Sequence, residues 1–188
     1  NVRVSAEYLI GGERDGWRVT QTSLEVEHGS GGNLGGGEGR GAGGGIIAQL
    51  IRYAKETTRN GVSLSKDPNT RQLLVQQYID NQIIRLLGLR NYWMSSNKIR
   101  MTFHGSQTSL MGKENSMRSG NTILEVAGPY AMLDDEKWAP LKGAFETQQR
   151  SAITAHHPGG SSEIQKLIMA RRLGLSRTRE EAAPTHLS

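Results

Sequence analysis

Three stretches of this 188-residue chain hold side chains whose types and spacing could do chemistry. The first is "AHHPGGSSEIQKLIMARRLGLSR", residues Ala155 to Arg177. Its Gly159-Gly160 pair lets the backbone come close to a ligand, Ser161 or Ser162 can cap the helix that follows, and Glu163 falls in that helix's first turn. Unpaired N–H groups at a helix start attract anions such as phosphate, although an ordinary cap uses the same residues. The second is "SLEVEHGS", where Glu25 and Glu27 stand at a predicted helix end beside a glycine-rich run. A carboxylate there meets the negative end of the helix dipole. Facing an apolar cavity, it would also gain the proton affinity that a general base needs. The third is Gly39-Arg40-Gly41-Ala42-Gly43-Gly44, which matches GxGxxG and opens a helix. Dinucleotide binding through that pattern requires a buried strand immediately upstream, and residues 29 to 38 offer one apolar side chain, Leu34, so the match is read as chance. His156-His157 with His28 or His104 could supply imidazoles, but adjacent residues point apart and no HxxxH or HExxH spacing occurs, so no metal site is expected.

Composition narrows the functional classes further. Lys and Arg number 23 against 18 Asp and Glu, a net charge of +5 with a pI near 9.7, which suits an anionic partner. The basic residues are scattered, however, and aromatics make up 5% of the chain. The stacking surface of a single-strand binder is missing, and no nucleic-acid partner is expected. Without cysteine the chain has no disulfides and no thiolate metal site, which fits a reducing compartment, and a cytoplasmic location is expected. No apolar run approaches the ~20 residues of a membrane span, and no leader pattern precedes the first strand-like residues. The chain opens at Asn1 rather than Met, so it is expected to be part of a longer polypeptide.

These residues must be positioned by helices. "NVRVSAEYLIGG" alternates at Val2, Val4 and Ala6 and predicts one short strand with no partner in view. A helix is expected from Gly16 to about His28, ended by the glycine-rich run, where each glycine costs ~1 kcal/mol relative to alanine in a helix. Helical spacing resumes at Ile46 with Ile47, Leu50, Ile51 and Ala54 and should stop near Arg59-Asn60-Gly61. Asp67 as cap and Pro68 at the first helical position then start the strongest helix, whose stripe Val75, Ile79, Ile83, Leu86 and Leu87 is expected to face the core. A further helix is predicted from Ser106 to Leu133, bent late by Pro129, followed by a loop over 134 to 146. The last helix begins at the SSEIQ turn, with Ile164, Leu167, Ile168, Ala170 and Leu173 on its apolar side. After Leu175 the polar tail is expected to be disordered. The expected class is therefore all-α, an antiparallel four-helix bundle with a short N-terminal strand.

Several segments resemble, in order, the C-terminal part of an acyl-CoA dehydrogenase: "VRVSAEYLIGGERDGW", "TSLEVEHGS", "IAQLIRYAKETTRNG", "DPNTRQLL", "ILEVAGPYAML" and above all "PGGSSEIQKLIMARRLGL". The resemblance implies that residues 1–14 end a middle β-domain, 15–177 form the C-terminal helical bundle and 178–188 are a flexible tail. It also implies an FAD-dependent oxidation of an acyl-CoA thioester to the 2-enoyl-CoA, electrons leaving to an electron-transfer flavoprotein. Assembly as a homo- or hetero-oligomer, a dimer of dimers, is implied as well. In many members the base is the glutamate of a Tyr-Glu-Gly-Thr-Ser-Glu turn, which here is Gly159. Others carry it on the first bundle helix in a Leu-x-x-Glu-Arg pattern. That pattern reads Leu24 to His28 in this chain, with histidine replacing arginine, and makes Glu27 the implied base. Gly160, Ser161, Ser162 and Glu163 would line the flavin. Thr57 replaces the arginine that usually reaches a neighbouring subunit's FAD, with Arg59 two residues on as its substitute. Glu125 replaces a glutamine of the same cofactor site. Such replacements leave open a non-catalytic subunit of a heteromeric dehydrogenase that serves packing and completes the FAD site. With Gly159 in place of a larger side chain, bulky acyl groups are the implied substrates.

Overall fold

A computed structural model describes residues 2–20, 23, 45–135 and 137–176 of the chain. Among them the expected N-terminal strand does not form: Val2 to Ser5 run without a ladder and Ala6–Tyr8 make one 3-10 turn. A strand needs a neighbour for its backbone N–H and C=O groups, and none is present among the described residues. Residues 16–20 and 23 are helical, as predicted; the other positions expected in that helix, and residues 29–44 of the glycine-rich run, lie outside the described residues.

Helix α1, Ile46–Glu56, buries Ile47, Leu50 and Ala54, the face its spacing predicts. It ends earlier than expected because Asn60-Gly61 serves as a hairpin turn rather than a helix stop. Both residues have positive φ, 53° and 77°, the pair a two-residue hairpin demands. The turn joins β1, Thr58–Arg59, to β2, Val62–Ser63, with Thr58 opposite Ser63. The Ser63 hydroxyl donates to the carbonyls of Ala54 and Lys55, closing the end of α1.

Helix α2, Pro68–Ser96, starts where Asp67 and Pro68 predict, the Asp67 carboxylate accepting from the Thr70 amide at 2.7 Å. Its orientation reverses the expectation. Val75, Tyr78, Ile79, Leu86 and Trp93 are 44 to 59% exposed, while Thr70, Leu74, Gln77, Asp80, Asn91 and Met94 are buried. The reason lies in the partner helix α3, His104–Ala127, which turns short polar side chains toward α2. Asn91 donates to Thr108 at 2.9 Å, Asn115 to Asn81 at 2.8 Å, and Arg118 to Asp80 at 3.0 Å. Asp80, Asn91 and the Asn115 amide nitrogen thereby keep partners, which offsets much of their desolvation cost, whereas Oε1 of Gln77 and Oδ1 of Asn115 meet no hydrogen-bond donor. These pairs climb α3 as they descend α2, so the two helices are antiparallel.

Beyond α3, Gly128 leaves the helix with φ 69° and Pro129 starts a 3-10 turn, Gly128–Met132, which realises the expected late break. The stretch predicted as a loop is partly helical: helix α4, Ala144–Thr154, follows a 3-10 turn over Pro140–Gly143. Only Phe145 and Ala152 of α4 turn fully inward, too sparse a pattern to announce a helix. Helix α5, Ser162–Arg172, begins at the SSEIQ turn as predicted, yet it too hides polar residues, Ser162 and Gln165, and leaves Ile164, Leu167 and Leu173 39 to 48% exposed.

The core sits where α1, α3 and α4 meet and contains Leu50, Ala54, Leu64, Leu74, Ile123, Val126, Ala127, Ala131 and Phe145. Phe145 is fully buried and meets the Tyr53 ring edge-on at 5.4 Å. Helices α4 and α5 lie end to end along α3, both antiparallel to it. Gly120 of α3 faces Ala152 of α4, Lys113 reaches the end of α4, and Glu114 pairs with Lys166 of α5 at 3.5 Å. No helix among the described residues is long and apolar enough to cross a membrane.

Candidate functional site

The joint between α4 and α5 is the Pro158-Gly159-Gly160-Ser161 turn, beside the middle of α3. Gly159 and Gly160 have φ of 66° and 83°, left-handed conformations that L side chains adopt only with strain. A Cβ at Gly160 would stand 3.1 Å from Nε2 of Gln165 and 3.4 Å from Cγ2 of Ile164. Glycine is therefore required twice in succession, and at these two half-buried positions the turn presents backbone alone.

Side chains hold this turn from within. Gln165, fully buried, donates to the Gly159 carbonyl at 2.7 Å. Lys113, 8% exposed, donates to the carbonyls of Ala155, at 3.1 Å, and Pro158. Ser162 is buried and turns its hydroxyl inward to His156 Nδ1, 3.1 Å away. Ser161 acts as the N-cap, accepting from the Ile164 amide at 3.4 Å. Glu163 is exposed, and its own backbone amide foremost, then the Ser161 hydroxyl, hold its carboxyl below the ordinary value. A negative charge thus already occupies the start of α5. The turn can accept an uncharged ring edge or carbonyl against its backbone, whereas a phosphate there would meet the Glu163 carboxylate.

The other predicted cofactor residues lie elsewhere. Arg59, on β1, donates through Nη2 to the Val126 carbonyl at 3.3 Å and stands over Gly128, where a Cβ would come within 3.4 Å of it. Glu125 is exposed at the same end of α3 and lines a shallow cleft with Gln76, Gln77 and Arg118. Arg59 and Glu125 are thus brought to one end of the bundle. Lys113 and Val126 are thirteen residues apart on α3, which puts this cluster about 20 Å along the helix from the PGGSS turn. The sequence-predicted residues form two groups within one chain rather than one. Glu27, the predicted base, lies outside the described residues, as do Glu25 and His28.

Among the described residues no three His, Asp or Glu side chains gather as metal ligands. His156 is engaged with Ser162, and His104 stacks on Phe103 at 4.4 Å while its Nδ1 accepts from the Thr102 amide. Burial, and then the Arg90 charge, lower the His104 pKa below 6.5. The sequence reading missed Lys113 and Gln165. Gln165 was visible as the last letter of SSEIQ; Lys113 carries no local signal, since a lysine between Gly112 and Glu114 reads as surface.

The sequence profile described as "Acyl-CoA dehydrogenase, C-terminal domain" matches residues 14–174. Acyl-CoA dehydrogenase IpdE1 of Mycolicibacterium smegmatis is 27% identical over 187 residues, covering 94% of this chain and 41% of that protein. The prolyl acyl carrier protein oxidase AnaB superposes with a TM-score of 0.73 at 25% identity, covering 91% of this chain and 42% of AnaB. A chain of the ChsE4-ChsE5 complex from Mycobacterium tuberculosis gives a TM-score of 0.62 at 23% identity over 70% of this chain and 35% of its own. The chain spans about two-fifths of the length of the curated relatives it matches.

Proposed function

Because the chain belongs to the acyl-CoA dehydrogenase family through its C-terminal domain, a family of FAD-dependent flavoproteins, we propose that it is the bundle of an enzyme that dehydrogenates an acyl-CoA thioester to the 2-enoyl-CoA. In this reading residues 1–14 end a preceding β-domain, and 178–188 are a tail. The observation that carries it is the PGGSS turn, whose two left-handed glycines bare the backbone and whose carbonyls are tied inward.

The residues present fit FAD in two separate places. Gly160, Ser161 and Glu163 would border the ring system, where the bare turn accepts an uncharged edge; Ser162 supports the turn from inside. Arg59, about 20 Å away along α3, would serve the pyrophosphate of a neighbouring subunit's cofactor, as one chain cannot bring both clusters to one ring. Glu125 would oppose that pyrophosphate, and Arg118 in the same cleft is already paired with Asp80. FAD, when bound, would supply the acceptor for the β-hydride, with the electron pair leaving to an electron-transfer flavoprotein. Glu27 would take the proton from the α-carbon, so that the C–H bonds at α and β are replaced by the α,β double bond. The lack of a side chain at Gly159, where many members carry one, favours a branched or ring-bearing acyl group.

The outward apolar faces of α2 and α5 fit this assignment, since isolated they would hold bulky hydrophobic side chains in water. They are packing surfaces for the remaining domains and for other subunits in a dimer of dimers. The decisive experiment is Glu27→Gln in the complete polypeptide: FAD should stay bound while bleaching of the flavin by an acyl-CoA slows by ~10²- to 10⁴-fold. Unchanged bleaching refutes the assignment.

A second reading, a non-catalytic subunit of a heteromer, is favoured by Gly159. The position that carries the base in many members here has φ 66°, where a glutamate would be strained. The complex purified from its own host separates the two readings by mass: a single subunit type with one FAD per chain refutes the heteromer.

A further inference from the structure

Lys113 is an odd residue to bury. It is 8% exposed, lies in the middle of α3, and has no carboxylate partner among the described ion pairs; the neighbouring Glu114 is taken by Lys166. Burial lowers its pKa, the mark of an ammonium that has given up water. What it receives in exchange are two backbone carbonyls. Ala155 follows the last residue of α4, so its carbonyl belongs to the negative end of that helix, and Pro158 opens the turn that leads into α5. One cation thus ties the end of α4 to the start of the joint, and Gln165, from α5, ties the next carbonyl, Gly159.

The consequence follows from peptide planarity. All peptide bonds among the described residues are trans, so each N–H points opposite to the carbonyl of the preceding residue. With the Pro158 and Gly159 carbonyls drawn inward to Lys113 and Gln165, the N–H groups of Gly159 and Gly160 are aimed outward as an adjacent pair. Neither donates to a protein group among the described residues.

We propose that Lys113 is the positioning residue of this turn, setting from inside the bundle the direction of the two glycine amides that face the flavin side. The inference rests on the reading of the PGGSS turn as flavin-bordering. Lys113 does not reach ligand; it acts through the backbone of residues 155 to 160.

The test uses the complete polypeptide with its flavin. Lys113→Met is compared with Lys166→Met, which removes an equal charge from the exposed pair on the same side of α3, and with Lys113→Arg, which keeps charge and donors. Amide hydrogen exchange is followed by mass spectrometry, and flavin affinity by titration of the apoprotein. Loss of a charge-assisted bond should speed exchange over residues 156–163 by on the order of tenfold to a hundredfold in Lys113→Met, leaving 68–127 as in the wild type. Flavin affinity should fall by about tenfold, the value of one misdirected hydrogen bond. Lys166→Met and Lys113→Arg should behave as wild type. Unchanged exchange over 156–163 overturns the proposal. So does acceleration that extends through 68–127 or a failure of Lys113→Met to fold, since Lys113 would then support the whole bundle. Departure of Lys113→Arg from wild-type exchange also counts against it. Faster exchange in the turn with flavin affinity intact upholds the positioning role and refutes the flavin-bordering reading instead.

Discussion

Gly160→Ala probes the turn with one methyl group. At φ 83° the new side chain costs about 1–2 kcal/mol in backbone strain alone. Its Cβ would also lie 3.1 Å from Gln165 Nε2. Gln165 is fully buried, so it has no solvent to swing into, and yielding means lengthening or losing its 2.7 Å bond to the Gly159 carbonyl. That bond is worth about 1 kcal/mol net, giving roughly 2–3 kcal/mol together. Gly61→Ala supplies the control: φ there is 77°, and an added methyl would meet nothing within 4 Å, so only the strain applies. Urea unfolding of both variants and the wild type, followed by circular dichroism in the complete polypeptide, should place Gly160→Ala about 1 kcal/mol below Gly61→Ala. Equal losses for the two variants would mean that Gln165 does not hold the turn, and the account of the site's rigidity would be wrong.

Phe145→Ala should destabilise the bundle by about 3–5 kcal/mol, read by the same unfolding assay, because the ring is fully buried in the core against Tyr53. Leu86→Glu should leave helicity and unfolding of the chain nearly unchanged, since the side chain is 59% exposed, yet lower the mass of the assembly measured by light scattering; an intact assembly would show that α2's outer face is not a packing surface. His104 makes stability depend on pH. Its folded pKa lies below 6.5 because burial, then Arg90, disfavour the charged ring, so the unfolded chain binds the proton first. Its contribution is complete above pH 6.5 and is lost as pH falls from there through the folded value. Urea midpoints measured across that window should fall toward acid in the wild type and fall less steeply in His104→Phe.

Local chemistry was legible in the amino-acid sequence. Asp67 and Pro68 announce the start of α2, Ser161 that of α5, and Pro129 the end of α3, because caps and proline geometry act within a few residues. The all-helical class follows from the same short-range rules, as does the glycine turn that precedes α5. Which face of a helix goes inward is not a short-range property. The stripe Val75, Ile79, Leu86 satisfies every criterion of a core face, yet α3 offers α2 asparagine, threonine and arginine, and hydrogen bonding to them decides the rotation. Periodicity identifies an apolar stripe; it does not say whether the same chain covers it. Likewise Asn60-Gly61 suits a helix stop or a hairpin turn, and the return of Ser63 to the end of α1 selects the hairpin. Helix α4 was hidden because its burial depends on the close approach of Gly120 to Ala152, made by residues 32 positions apart. The separation of Arg59 from the PGGSS turn, and the grip of Lys113 on carbonyls more than forty residues away, exist only once the helices are laid side by side: packing sets which distant dipoles meet a buried charge, and no local pattern encodes that.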